Sequence, residues 1–190
     1  SGALDSVFEA LVRAGRSAPM AKTMMVPEAW SKSAVEMPQA WADMYAYCNA
    51  VMEPWDGPAA LAMTDGRWVC GGLDRNGLRP LRYVVTGDGL LIAGSEAGMV
   101  PVDEAVVREK GALGPGQMIA AGLQSGRLLD SEAIDRFNRE RAPYKEWLRQ
   151  GMTYLHTELV DPNLTATPFD PSTLAGFQKL FQLTREEREQ

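Results

Sequence analysis

The sequence is poor in the residues from which most active sites are built. It has one histidine, His156, and two cysteines, Cys48 and Cys70. A lone histidine excludes most zinc sites and any nucleophilic arrangement that uses a second imidazole. Two cysteines so far apart form neither a CxxC pair nor a disulfide framework. A basic excess is missing too: 19 Lys and Arg against 25 Asp and Glu leave a net charge of −6, without the electrostatic footprint of a nucleic-acid binder. No apolar run approaches the roughly 20 residues that span a bilayer. The opening SGALDSVFEALV has neither a charged start nor a cleavage pattern, so it does not read as a signal peptide. These absences point to a reduced, cytoplasmic setting with no membrane and no nucleic-acid partner. Walker and GxGxxG glycine loops are also lacking, and Gly71-Gly72 precedes no helix.

What is present is an ordinary globular composition, 45% hydrophobic and 23% charged over 190 residues, enough for one core with an appendage. The chain starts without Met and inside an apolar periodic run, which reads as a fragment or a processed chain. Its organising stretch is Glu53 to Glu96. Apolar runs over 58–64 and 67–73 flank Asp65-Gly66, and runs over 81–85 and 90–93 flank Gly87-Asp88-Gly89. Both patterns predict hairpins, the first with Asp65-Gly66 as its two turn residues, within one antiparallel core. Gln117 to Leu123 and Arg127 to Leu129 predict a third, around Gln124-Ser125-Gly126. Residues 98–108 read as mixed and 111–116 as a loop.

Helical spacing of Leu4, Phe8, Leu11 and Val12 ends at Gly15, a helix C′ position. The Met-rich stretch 19–30 predicts a short helix or a loop, with Met20, Met24 and Met25 as core filling. Pro38 to Met52 carries an apolar stripe of Trp41, Met44, Tyr45, Cys48 and Met52. Asp130 or Ser131 caps a helix to Arg139, and another follows Pro143. Composition changes at Gly151. After a Pro- and Thr-containing stretch, Asp170-Pro171 opens a last helix, and Thr184 to Glu187 forms a capping box.

No set of residues makes a catalytic constellation by spacing. Cys70, without a neighbouring histidine, reads as a strand residue facing the core. The densest polar cluster is Asp74, Arg75, Asn76, Gly77 and Arg79. Turn chemistry accounts for Asp74 and Asn76-Gly77, whereas Arg79 has the fork that grips a carboxylate. Glu96, at a strand end after Ser95, stands in the same balance. The substrate-proximal candidates are therefore Asp74, Asn76, Arg79 and Glu96, with no metal ligand among them.

DRNGLRPLRY (Asp74 to Tyr83), followed by IAGSE (Ile92 to Glu96), resembles the second half of a class II glutamine amidotransferase domain. LVRAGRSAPMAKTMMVPEAW (Leu11 to Trp30), MEPWDGPAALAMTDG (Met52 to Gly66) and GALGPGQMIA (Gly111 to Ala120) are similar to the large subunit of glutamate synthase, and LAGFQKLFQLTREEREQ (Leu174 to Gln190) resembles the start of the central domain that follows. Gly94 departs from the family, which often has Ser or nothing between Ala and Ser-Glu. The resemblance implies an α+β chain: part of a four-layer αββα sandwich with antiparallel sheets, then a linker and the first helices of a second domain. The implied boundaries are 1–150 for the C-terminal part of the amidotransferase domain, 151–169 for the linker and 170–190 for the next domain.

In such N-terminal-nucleophile hydrolases a terminal Cys thiolate attacks the glutamine amide, its α-amino group acts as base, and an Asn-Gly oxyanion hole steadies the intermediate. Ammonia then travels to a distant FMN site and is used to form L-glutamate from 2-oxoglutarate. Here position 1 is Ser, where the resemblance places the residues just after a substrate-binding Asp, so no catalytic residue carries over and these 190 residues alone are expected to be inactive. The resemblance implies no cofactor in this segment. For the full enzyme it implies FMN, an iron–sulfur cluster, and NADPH or ferredoxin, with the rest of the large subunit, a small subunit or other electron donor, and L-glutamine as partners. The rival readings are another class II amidotransferase, asparagine synthetase-like or phosphoribosylamine-forming, and a non-catalytic scaffold or regulatory module.

Overall fold

The computed structural model describes residues 2–28, 38–152 and 170–183, which belong to two units, Ser1–Met152 and Thr153–Gln190. In the first unit three helices precede the strands: α1 (Gly2–Arg13), α2 (Ala18–Met25) and α3 (Gln39–Val51). The Met-rich stretch settles as a helix because Pro19 suits its first turn, and every residue of α2 is buried. Met44, Tyr45 and Cys48 form the buried face of α3 and join Met20, Met24 and Tyr144 in one apolar cluster.

The strands form two antiparallel sheets. β1 (Ala60–Thr64), β2 (Trp68–Leu73), β6 (Met118–Gly122) and β7 (Leu128–Leu129) make the first, in the order β1-β2-β6-β7. β3 (Arg82–Thr86), β4 (Leu91–Gly94) and β5 (Val107–Ala112) make the second, in the order β4-β3-β5. The stretch 53–96 is thus not one core. Its two hairpins sit in different sheets, and the Asp74–Pro80 segment carries the chain between them. β5 also replaces the expected loop at Gly111. Its VREKGA sequence is largely exposed, so it carries little apolar signal, and Val84↔Lys110 and Tyr83↔Gly111 pairing holds it.

The first hairpin turns one residue later than expected. Asp65 N donates to Trp68 O, so Gly66 and Arg67 are the central pair, and Gly66 takes the positive φ of 78°. Asp65 contributes through its side chain: Oδ1 accepts from Arg67 N and Trp68 N, and Oδ2 accepts from Ala18 N at 2.8 Å, joining the turn to α2.

Alternate residues of β2 point to opposite faces. Cys70 packs with Ala18, Met118, Ala120, Leu129 and Ile134 on the helix side. A methyl placed on Gly71 would meet Leu81 Cδ2 at 3.3 Å and Ala93 Cβ at 3.8 Å, both from the second-sheet segment. The first sheet therefore has helices on one face and the second sheet on the other, an α+β arrangement. α4 (Ser131–Arg139), capped by Asp130 with its side chain accepting from Ala133 N, lies on the helix side. α5 (Tyr144–Gly151) completes this unit.

The second unit shows α6 (Pro171–Leu180), which Asp170 caps as expected from sequence, its carboxylate accepting from Ser172 N and Thr173 N. The hydroxyls of Ser172 and Thr173, which also donate to this carboxylate, together with these N–H groups hold the Asp170 carboxyl below its usual range. Of the linker stretch 151–169 only Gly151, the last residue of α5, and Met152 are described; the rest of it and the Thr184 capping box lie outside the described residues.

Candidate functional site

The four candidate residues lie at one end of the two sheets. β2 ends at Leu73, opposite the start of β6, and Asp74 follows directly. Arg79 precedes β3 by three residues, and Glu96 follows β4 by two; because Arg82 pairs with Gly94, both belong to the same end of the second sheet. The hairpin turns at 65–67, 87–89 and 124–126 occupy the other end. A cleft of about 500 Å³ between the sheets at that far end is lined by Val85, Leu91, Ala121 and Leu128, and by none of the four candidates.

Asp74 is buried, with 1% of its surface exposed. Its Oδ1 accepts from Ala59 N at 3.1 Å and its Oδ2 from Asn76 N at 3.0 Å, while its own N–H donates to Ala59 O and its carbonyl accepts from Gly77 N. Burial pushes the carboxyl up, but the backbone N–H groups of Ala59, Asn76 and Leu78 outweigh it and hold it below the usual range. This is the turn reading in full: Asp in the first position, Gly77 with φ of 62° in the fourth. Asn76 and Arg79 are exposed, so Asp74 builds the turn and the exposed pair is what the turn presents. Exposed Glu96 lines a 130 Å³ pocket with Arg82, Tyr83, Ile92 and Lys110.

The turn is wedged by backbone contacts. Gly116 N donates to Asp74 O at 2.8 Å, and Leu73 N to Gln117 O at 3.0 Å. A methyl on Gly77 would stand 2.8 Å from Pro115 Cα, and one on Gly116 would stand 2.7 Å from Glu28 Cα. The loop 114–117 is therefore sandwiched between the Asp74 turn and the segment after α2.

Behind that loop lies a buried ionisable cluster for which spacing offered no motif. Lys22, 1% exposed, sends its Nζ to Gly116 O at 2.7 Å. Its stem runs over Gly72, where a methyl would meet Lys22 Cε at 3.0 Å, so the Gly71-Gly72 pair serves sheet contact on one face and the lysine on the other. Tyr45 hydroxyl donates to Asp135 Oδ1 at 3.1 Å, and with Glu28 these groups line a cavity of about 10 Å³, the size of one water. Burial lowers Lys22 to about 8, against the pull of Glu28, Asp135 and Asp74; burial raises Asp135 to about 6 and raises Glu28. A signal existed: Lys22 interrupts an apolar run, and Asp135 shares the helical face of Ile134 and Asn138.

Two predictions follow from burial. A carboxyl that holds its proton more tightly when folded gives stability that is complete below its unfolded pKa and lost as pH rises through the folded one. Asp135 should thus weaken the fold between about pH 4 and its folded value of about 6, and Asp135→Asn should shrink that loss by roughly 2 kcal/mol. Hydrogen-exchange stability of α4 in the full-length protein at both ends of the range measures it; an unchanged slope contradicts the assignment. Cys48 and Cys70 are buried free thiols, and burial pushes both up to about 12. Both should resist alkylation in the native protein and react once it is denatured; rapid native labelling of Cys70 would place it outside the core.

Among the described residues no three His, Cys, Asp or Glu gather as a metal-ligand group. The profile of the family described as glutamine amidotransferases class-II matches residues 1–147. The chain belongs to the class II glutamine amidotransferases. It is 52% identical over 191 aligned residues to the glutamate synthase [NADPH] large chain of Azospirillum brasilense, covering 100% of this chain and 12% of that protein. It is 40% identical to ferredoxin-dependent glutamate synthase 2 of Synechocystis over 98% of this chain and 12% of that one. Against the glutamate synthase [NADPH] large chain of Bacillus subtilis the identity is 37% over 83% of this chain and 10% of the relative. The chain thus spans 10–12% of the length of these curated relatives. The amidotransferase match ends before α6. Among its described residues no helix is long and apolar enough to cross a membrane.

Proposed function

We propose that this chain is the C-terminal part of the glutaminase domain of a glutamate synthase large subunit, over residues 1–150, joined by a linker at 151–169 to the start of the central domain at 170–190. The observation that carries the reading is similarity along the whole chain, α6 included, to the large chain of Azospirillum brasilense. The complete enzyme takes ammonia from L-glutamine and delivers it to 2-oxoglutarate for reductive formation of L-glutamate. Its nucleophile belongs to the remainder of the same subunit, and the helix–sheet–sheet stack seen here supplies three layers of a four-layer αββα sandwich. FMN, an iron–sulfur cluster and NADPH or ferredoxin serve the full enzyme from outside this segment.

The role of this segment is to wall the glutamine pocket. Asp74 fixes the turn, Asn76 and Arg79 stand exposed on it, and Glu96 stands at the same sheet end. An exposed guanidinium there suits the α-carboxylate of glutamine. The test is ammonia release from glutamine by the full-length protein, with and without 2-oxoglutarate and reductant. Glutamate formation coupled to both supports the reading; glutamine hydrolysis that feeds a different acceptor, such as aspartate, would replace it with the asparagine synthetase-like alternative.

A further inference from the structure

We infer that Lys22 is a positioning residue for the Asp74–Arg79 turn: its buried ammonium fixes the 114–117 loop, and that loop fixes the turn. The route is short and made of direct bonds. Lys22 Nζ donates to Gly116 O at 2.7 Å, Gly116 N donates to Asp74 O at 2.8 Å, and Gly77 N closes the turn on the same Asp74 carbonyl at 3.0 Å. Both faces of one peptide unit pair are thereby engaged, the carbonyl by α2 and the amide by the turn. Pro115 against Gly77 and Gly116 against Glu28 leave no room for the loop to slide.

A buried lysine is a costly way to hold one carbonyl, because the ammonium must be stripped of water. Asp135 and Glu28 offset that cost, and Tyr45 holds Asp135 in place. Gly72 leaves the space over β2 that the lysine stem needs. A second helix (α4), the segment after α2 and β2 are thus all shaped around this one contact. An apolar residue at 22 would fill the space and hold α2 in the core equally well, yet would leave Gly116 O without its donor.

The inference rests on the reading that the turn borders glutamine, and the experiment separates the two. In the full-length protein, Lys22→Met keeps an unbranched stem over Gly72 and removes the donor; Lys22→Gln keeps a neutral donor on a shorter stem and serves if the first variant fails to fold. Hydrogen exchange at the Gly77 and Gly116 amides should quicken by about tenfold in Lys22→Met, while amides of β6 beyond the loop change little. The glutamine KM of the hydrolysis reaction should rise by a similar factor with kcat nearly unchanged, and Lys22→Gln should fall between. Unchanged exchange at both amides, or a loss spread evenly over the unit, overturns the role of Lys22. Faster exchange at those amides with an unaltered KM upholds Lys22 as the anchor of the turn and overturns the placement of the turn beside glutamine.

Discussion

Asp74→Ala is expected to destabilise the first unit by about 3 kcal/mol. The substitution leaves the N–H groups of Ala59 and Asn76 without the acceptors at 3.1 and 3.0 Å, in a place where the side chain is 1% exposed. Asp74→Asn retains one acceptor oxygen and should cost about half as much. Native-state hydrogen exchange of β2 and β6 amides in the full-length protein measures both. The pH dependence has a definite sign. A carboxyl whose folded pKa is depressed gives stability that is present above its unfolded pKa and lost as pH falls through the folded one. Wild type should therefore lose this contribution only on acidification below the ordinary carboxylate range, and Asp74→Ala should not. Equal stability of the Ala variant and wild type would mean that the turn is held by its neighbours alone.

Gly116→Ala should cost about as much, roughly 3 kcal/mol, for a steric reason. The residue has φ of 70°, which costs an L-residue about 1 kcal/mol, and its methyl would lie 2.7 Å from Glu28 Cα, a backbone atom that cannot swing aside. Gly66→Ala separates the two contributions. Its φ is 78°, and nothing lies within 4 Å of the added methyl, so it should cost only about 1 kcal/mol. Comparable losses at the two glycines would show that the 114–117 loop is not pinned between the Asp74 turn and the segment after α2.

The elements that could be read in the sequence were those whose signal is local. Gly15, Asp130 and Asp170 marked helix ends by their own chemistry, and the Gly87–Gly89 and Gln124–Gly126 turns carry positive φ at Gly89 and Gly126. The stripe of Trp41, Met44, Tyr45, Cys48 and Met52 emerged from 3.6-residue spacing; Met44, Tyr45 and Cys48 are buried, whereas Trp41 and Met52 are half-buried. What escaped depended on distant partners. β5 is defined by pairing with β3, and its charged, exposed residues show no alternation of their own. The split of 53–96 into two sheets depends on β6 entering beside β2, some forty-five residues later. Lys22 reads as a charge in a Met-rich helix until Gly116, 94 residues away, supplies its acceptor. The turn at 74–79 was legible as a turn, because Asp and Asn-Gly declare one, but the residues that brace it were not.

A structure of the full-length protein with a glutamine analogue bound at the amidotransferase site tests the placement of the pocket. The analogue should lie at the sheet end that carries Asn76, Arg79 and Glu96, with at least one of them in hydrogen-bond or single-water reach of its amino-acid head group. An analogue bound at the opposite end, among the 65–67, 87–89 and 124–126 turns, would contradict it.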